Sequence, residues 1–266
     1  MLTSKDTMAH EVAFDLFSSL RYDPILLNSS TNSALWPTKP TSTPFYMLSY
    51  HRDRMLQAAE YFQWSEAVSK LKGEEGLNNL LKKLESSISS SCQDALRVRA
   101  LIHQNGDIIV ESGVVSPVPL ENLFPARIPP PQTTMKVSPL TGGSLELGAQ
   151  DSVKKSNGDP QQRQPYVVMV DTHCTDPTPF TKYKTTSRDM YTGARSRVGI
   201  DSMTDPKEVL IVSSVDGEIM EGSLTSVFFW RGGRWITPPV RDGGQAGTTR
   251  RWLLEKGYVN AYIFTC

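Results

Sequence analysis

Between Pro129 and Pro165 the chain changes character, and that change limits what the rest can fold into. The stretch opens with three consecutive prolines, Pro129 to Pro131, and runs on through Gly142-Gly143, Lys154-Lys155-Ser156-Asn157-Gly158 and Gln161-Gln162 with few aromatic residues. A segment of this kind buries too little apolar surface to offset the entropy of ordering it. The folded structure must therefore come from the two flanks. The expected division is an N-terminal α/β domain over 1–128, a linker with a low-complexity insertion over 129–165, and a ligand-binding C-terminal domain over 166–266. A length of 266 residues is enough for two modest domains with buried cores.

Both flanks mix strand and helix signals. Val12 to Phe17 and Tyr46-Met47-Leu48 read as short strands, separated by a Ser-, Thr-, Asn- and Pro-rich loop from Asn28 to Pro44. Met55, Ala58, Ala59 and Phe62 then share one face of a helix, and Leu77, Leu80, Leu81 and Leu84 mark a second helix over 76–87. Ala95 to Ile102 alternates Leu96, Val98, Ala100 and Ile102 on one face, Asn105-Gly106 supplies a turn, and Ile108-Ile109-Val110 returns, which predicts a hairpin. In the second flank, strands are expected at 166–170, 209–212, 227–230 and 234–237, with helices over 188–197 and from Gly247. The fold class expected is α/β (α+β).

Composition removes several function classes. Lys plus Arg and Asp plus Glu number 28 each, so there is no electrostatic footprint for nucleic acid or acidic membranes. Cys92, Cys174 and Cys266 are odd in number and form no CxxC pair, and the histidines at 10, 51, 103 and 173 form no HExxH or HxH cluster. That argues against a disulfide framework or a metal site. No apolar run approaches the roughly 20 residues of a membrane span, and Met1 to Glu11 lacks an apolar signal core. A cytoplasmic location is the expectation.

Four groups carry chemistry. Lys184 sits in Phe180-Thr181-Lys182-Tyr183-Lys184-Thr185-Thr186-Ser187-Arg188. Aromatic neighbours desolvate such an amine and lower its pKa, which makes it a nucleophile and base. A surface lysine at a helix start is the alternative. Glu221 precedes Gly222-Ser223 and an apolar strand, where the chain enters a sheet; a solvated turn glutamate reads as well on spacing alone. Gly243 to Arg250 places glycines and the hydroxyls of Thr248 and Thr249 at a helix N-terminus, an arrangement suited to an anion, though also to a flexible turn. Arg54, on the first amphipathic helix, offers a planar fork for phosphate, or an exposed partner for Asp53 or Glu60. An amine, a carboxylate for a pyridinium nitrogen, a phosphate cradle and a phosphate arginine together fit pyridoxal phosphate.

At these residues the sequence resembles the fold type IV pyridoxal phosphate enzymes, the class IV aminotransferase family, and within it the fungal aminodeoxychorismate lyases. The blocks that carry the resemblance are Leu20-Arg21-Tyr22-Asp23-Pro24, His51 to Trp64, Phe180 to Arg197 and Glu221 to Leu254. It implies an N-terminal α/β sandwich and a barrel-like C-terminal α/β domain. The family's cofactor-bearing lysine falls on Lys184, with Lys182 as competitor; its pyridine-nitrogen carboxylate falls on Glu221. The arginine of its His-x-x-Arg motif falls on Arg54, and its phosphate turn on Thr248 and Thr249. Arg99 is the candidate for a substrate carboxylate.

The resemblance further implies lyase chemistry on 4-amino-4-deoxychorismate, giving 4-aminobenzoate, a folate precursor, and pyruvate. Lys184 would move the protons, and a cytosolic homodimer without membrane or nucleic-acid partners is expected. Two departures stand out. The chain stops at Cys266, soon after the second phosphate segment, which reads as an altered or truncated end. Ser226 stands where aminotransferase relatives carry Asn, which disfavours a transaminase. A D-amino acid or branched-chain aminotransferase and an inactive truncated paralogue are the competing readings.

Overall fold

The structure is a computed structural model and describes residues 13–131, 136–138, 144–146, 166–240 and 243–262. In chain order its elements are β1 (Leu16–Tyr22), a 3-10 turn (Pro24–Asn28), α1 (Ser30–Ser33), α2 (Leu48–Tyr61), α3 (Ser65–Leu71), α4 (Gly73–Ser86), β2 (Leu96–Ile102), β3 (Ile108–Val114) and α5 (Leu120–Leu123). Then follow β4 (Lys136–Ser138), β5 (Ser144–Glu146), β6 (Val167–Thr175), α6 (Pro179–Lys182), α7 (Asp189–Arg197), β7 (Lys207–Ser213), β8 (Ile219–Gly222), β9 (Phe229–Arg231), β10 (Arg234–Thr237), α8 (Thr248–Glu255) and β11 (Asn260–Ala261). The α/β expectation holds.

The first sheet is antiparallel in the order β1-β2-β3, with Leu16 opposite Ile102 and Leu96 opposite Val114. Strand periodicity sends Leu16, Leu20, Val98, Ala100 and Ile102 to one face, where they form a core with Met55 and Ala59 of α2, Leu71 of α3, and Leu77, Leu80 and Leu84 of α4. The other face carries Phe17, Arg97 and Arg99. The hairpin between β2 and β3 turns where expected. Gly106 adopts φ +84°, and Asn105 Oδ1 accepts from the Asp107 N–H at 3.0 Å.

Three details depart from the sequence reading. β1 begins at Leu16, later than expected, with 13–15 outside any strand and Val12 outside the described residues. Tyr46-Met47-Leu48 is not a strand: Met47 takes a left-handed conformation and α2 starts at Leu48. The cause is buried Asn32, whose Nδ2 donates to the Thr43 and Phe45 carbonyls while its Oδ1 accepts from Met47 N–H at 3.0 Å. One side chain thus satisfies groups that a neighbouring strand would otherwise have to pair. Finally α3, with Ala67 and Leu71 buried, continues the helical layer where no helix was expected.

In the second flank β6 runs parallel to β7, and β7 antiparallel to β8. Helix α7 covers this sheet, packing Tyr191 and Ala194 against Val209, Ile211 and Met220. A further sheet has the order β11-β10-β9. Trp252, Leu253 and Val259 join Leu26, Tyr46, Met47, Tyr50 and Leu123 in a core that both flanks build together. Within the proline- and glycine-rich stretch, β4 pairs with β5 as a short hairpin; most of the remainder lies outside the described residues. No helix among the described residues is long and apolar enough to cross a membrane.

Candidate active site

Lys184 is fixed by the backbone on both sides. Helix α6 opens with a capping box, Thr178 with Thr181, and its end leads into an extended segment that docks along β1. Phe17 N–H donates to the Lys184 carbonyl at 3.0 Å, and Thr186 N–H to the Asp15 carbonyl at 2.9 Å. The Thr186 hydroxyl accepts from Asp15 N–H at 2.9 Å. The segment therefore acts as an added edge of the first sheet and aims Lys184 across the seam between the flanks. Its Nζ lies 5.1 Å from the centre of the Phe17 ring and 3.4 Å from Gln245 Oε1. Burial, then repulsion from Arg54 and Arg188, holds the amine well below its ordinary pKa. A lowered pKa moves the amine toward the neutral form that a nucleophile or proton acceptor requires. Lys182, by contrast, is exposed at the end of α6, its Nζ 5.8 Å over the Tyr183 ring.

Glu221 lies inside β8, opposite Ile211 of β7, and not ahead of a strand as the sequence suggested. Only 8% of its surface is exposed. The Tyr191 hydroxyl donates to Oε1 and the Gln245 N–H to Oε2 at 3.2 Å. Burial pushes the carboxyl up to about 7, against the downward pull of those two hydrogen bonds and of Lys184. Gln245 ties the pair together: its side-chain oxygen meets Lys184, its Nε2 donates to the Tyr191 hydroxyl at 3.3 Å, and its main chain holds Glu221. The loop that carries it lies close to β8 and the α6 approach. A Cβ on Gly244 would come 2.9 Å from the Met220 carbonyl, and one on Gly243, at φ +133°, 2.8 Å from Pro177.

Arg54 and Thr248 converge through two residues the sequence reading did not assign. Arg54 Nη2 donates to the Ser18 hydroxyl; that hydroxyl is 2.7 Å from His51 Nδ1, and His51 Nε2 is 3.3 Å from the Thr248 hydroxyl. Burial, with Arg54 and Lys184 nearby, keeps His51 well below its usual pKa and so neutral. Arg54 itself is lowered to about 10 by burial. Its Nε is buried without a hydrogen-bond partner among the described residues. Helix α8 starts here after Gly247, with no side chain capping its first N–H groups. A guanidinium with an unpaired donor, a hydroxyl and a bare helix N-terminus are the donor set of a phosphate site. The Thr249 side chain hydrogen-bonds Tyr46. A cavity of about 430 Å³ adjoins Arg54, bounded by Tyr61, Lys182, Tyr183, Gly244 and Ala246.

Arg99 is brought to the edge of this group, not its centre. Its guanidinium stacks 4.5 Å over the Phe17 ring that Lys184 also faces, and Nη1 is held by Glu111 at 3.0 Å. Tyr191, Gln245, His51 and Ser18 were missed. His51 had a signal, three residues before Arg54 and so on the same helical face, and Tyr191 had one in its i, i+3 spacing from Arg188. Gln245, in a loop, and Ser18, on a strand, had none, because their roles depend on contacts between distant segments.

With this geometry in place, likeness to known proteins is informative. Residues 148–260 match the family described as amino-transferase class IV.

Over these residues the chain is similar to the class IV aminotransferases.

The chain is similar to the aminodeoxychorismate lyase of Saccharomyces cerevisiae, 26% identical over 247 residues that cover 81% of this chain and 59% of the yeast protein. A Schizosaccharomyces pombe protein provisionally named for the same activity is 30% identical over 101 residues, 37% of this chain and 43% of that protein. The chain thus spans about half the length of the curated relatives it matches. Its fold is similar to a hypothetical aminotransferase from Mycobacterium tuberculosis, solved in a PLP-bound form, with TM-score 0.53, 16% identity, and coverage of 94% of this chain and 72% of that one. That likeness of fold extends over nearly the whole chain.

Proposed function

We propose that this chain is a pyridoxal phosphate enzyme that converts 4-amino-4-deoxychorismate to 4-aminobenzoate and pyruvate, acting as a cytosolic homodimer. The observation that carries the reading is a Lys184 amine of lowered pKa joined through Gln245 to buried Glu221, beside a phosphate-suited donor set at Arg54, Thr248 and the start of α8. The substrate is supported by likeness to the yeast lyase.

Arg54, Thr248 and the α8 N–H groups would hold the cofactor's phosphate, Glu221 its ring nitrogen and Lys184 its aldehyde. Pyridoxal phosphate, when bound, supplies an aldehyde for the substrate amine and a ring that takes up electrons. The protein's own residues do the rest. Lys184 Nζ, its pKa lowered by burial and by the cations Arg54 and Arg188, accepts the proton from the amine-bearing carbon and returns one to the departing enolpyruvyl group. Glu221, oriented by Tyr191 and Gln245, holds a negative charge where a protonated nitrogen can share it. Neutral His51 fixes Arg54 and Thr248 relative to each other through Ser18. The Phe17 ring shields one side of the amine from water.

The test is product analysis without an amino acceptor. The loaded enzyme is expected to release pyruvate and 4-aminobenzoate in equal amounts, and Lys184→Ala to lower that rate by roughly 10³-fold or more. Its circular dichroism should be unchanged, since no packed cavity is left behind. Conversion of the cofactor to pyridoxamine phosphate on addition of D-alanine or a branched-chain amino acid, without pyruvate release from aminodeoxychorismate, would establish an aminotransferase instead.

A further inference from the structure

Arg188 has so far entered only as a charge near Lys184, yet its hydrogen bonds and stacking place it within the site. It precedes α7, four residues after Lys184. Its guanidinium stacks 4.2 Å over the Tyr191 ring, whose hydroxyl holds Glu221. Nη2 donates to the Ser223 carbonyl at 2.7 Å. The other terminal nitrogen, Nη1, is buried and has no hydrogen-bond partner among the described residues. A buried cationic donor left unpaired is costly, and it persists where a ligand brings the missing acceptor.

The support beneath Arg188 is itself built. Glu208, on β7 and 6% exposed, accepts from Ser223 N–H at 3.0 Å, the Ser223 hydroxyl at 2.7 Å, Leu224 N–H at 3.3 Å and the Thr225 hydroxyl at 2.7 Å. Gly222 permits this packing, because a Cβ there would come 3.0 Å from Glu208 Oε2. One buried carboxylate therefore fixes the turn whose carbonyl fixes one half of the arginine fork. The free half is left in the field of Lys184 and Glu221, both of which interact electrostatically with Arg188. Arg99 also contributes to that field.

We propose that Arg188 is a ligand-binding residue: its Nη1 donates to an anionic oxygen of the molecule held at Lys184, and Glu208, acting through Ser223, positions it. Two oxygens have this chemistry, the phenolate oxygen of the cofactor ring and a carboxylate of the substrate. The proposal rests on the reading of the site as a pyridoxal phosphate site.

The experiment compares wild type, Arg188→Lys and Glu208→Gln. The dissociation constant of pyridoxal phosphate is measured on each apoprotein by tryptophan fluorescence, and KM and kcat for aminodeoxychorismate on each loaded enzyme. Lysine keeps the charge but cannot hold Ser223 and a ligand with one rigid fork. Loss of one charge-assisted hydrogen bond is expected to raise one of the two constants by about tenfold or more in Arg188→Lys, with kcat changed less. A rise in the cofactor constant alone assigns the ring oxygen; a rise in KM alone assigns the substrate carboxylate. Glu208→Gln, which turns an amide donor toward groups that themselves donate, should move the same constant in the same direction by about threefold. Both constants within twofold of wild type in Arg188→Lys would overturn the proposal. Should that variant not fold, unchanged constants in Glu208→Gln overturn it. Wild-type apoprotein that takes up no pyridoxal phosphate contradicts the underlying reading and the proposal with it, whereas normal uptake with unaltered variants contradicts the proposal alone.

Discussion

At Lys184 the chain places an ammonium group where its proton is held less tightly than usual, and at Glu221 a carboxyl where it gives one up late. Both effects start from burial: desolvation penalises each charged form, and the cations around Lys184 add to the penalty there. The two groups act on stability with opposite signs. Glu221 has a folded pKa of about 7, above its ordinary value of 4.5. Its contribution is complete below pH 4.5 and declines as pH rises through about 7, because the unfolded chain releases that proton earlier. Lys184 has a depressed folded pKa, so its contribution is present above pH 10.5 and lost as pH falls through the folded value. Glu221→Gln removes only the first dependence. In the apoprotein, the melting temperature of this variant should gain on wild type as pH is raised from 5 to 7.5, by roughly 5 °C. Parallel melting curves across that range would show that Glu221 titrates normally. Lys184, Glu221, Arg54 and Thr248, the candidates from the sequence that the structure brings together, are those whose chemistry is local to a short motif. Gln245 and Ser18 were not readable, since an uncharged side chain in a loop or strand acquires its role only when another segment folds against it.

Among the elements, the loop over 243–247 decides whether the two halves of the site meet. It carries Gln245 and leads into α8, and it fits only because Gly243 and Gly244 lack side chains. Gly243→Ala meets two obstacles, a φ of +133° and contact with Pro177. It should lower stability by about 1–3 kcal/mol, seen as a reduced urea midpoint, and weaken pyridoxal phosphate binding in parallel. A variant with wild-type midpoint and affinity would show that the loop does not position Gln245. The helices and strands with clean periodicity, α2, α4, β2, β3, α7, β7 and β10, were legible within a few residues. The segment over 46–48 was misread because Asn32, fourteen residues upstream of Tyr46, supplies its hydrogen bonds. Pattern within a window cannot show a partner outside it.

For the molecule as a whole, the two flanks are not independent. Trp252 and Leu253 of α8 pack with Tyr46, Met47 and Tyr50 at the start of α2, and the Lys184 segment extends the first sheet along β1. Unfolding either flank would expose the apolar surface of the other, so calorimetry of the apoprotein should show one transition. Two separated transitions would mean that the shared core contributes little. The same interdependence places Lys184 at the seam, where Phe17 of β1, Arg54 of α2, Glu221 of β8 and Gln245 of the 243–247 loop converge on it. The most direct test of the account is reductive trapping: load the protein with pyridoxal phosphate, reduce with borohydride, digest, and locate the modified lysine by mass spectrometry. The account predicts a single pyridoxyl label on Lys184. Label on Lys182, or no label at all, would contradict it.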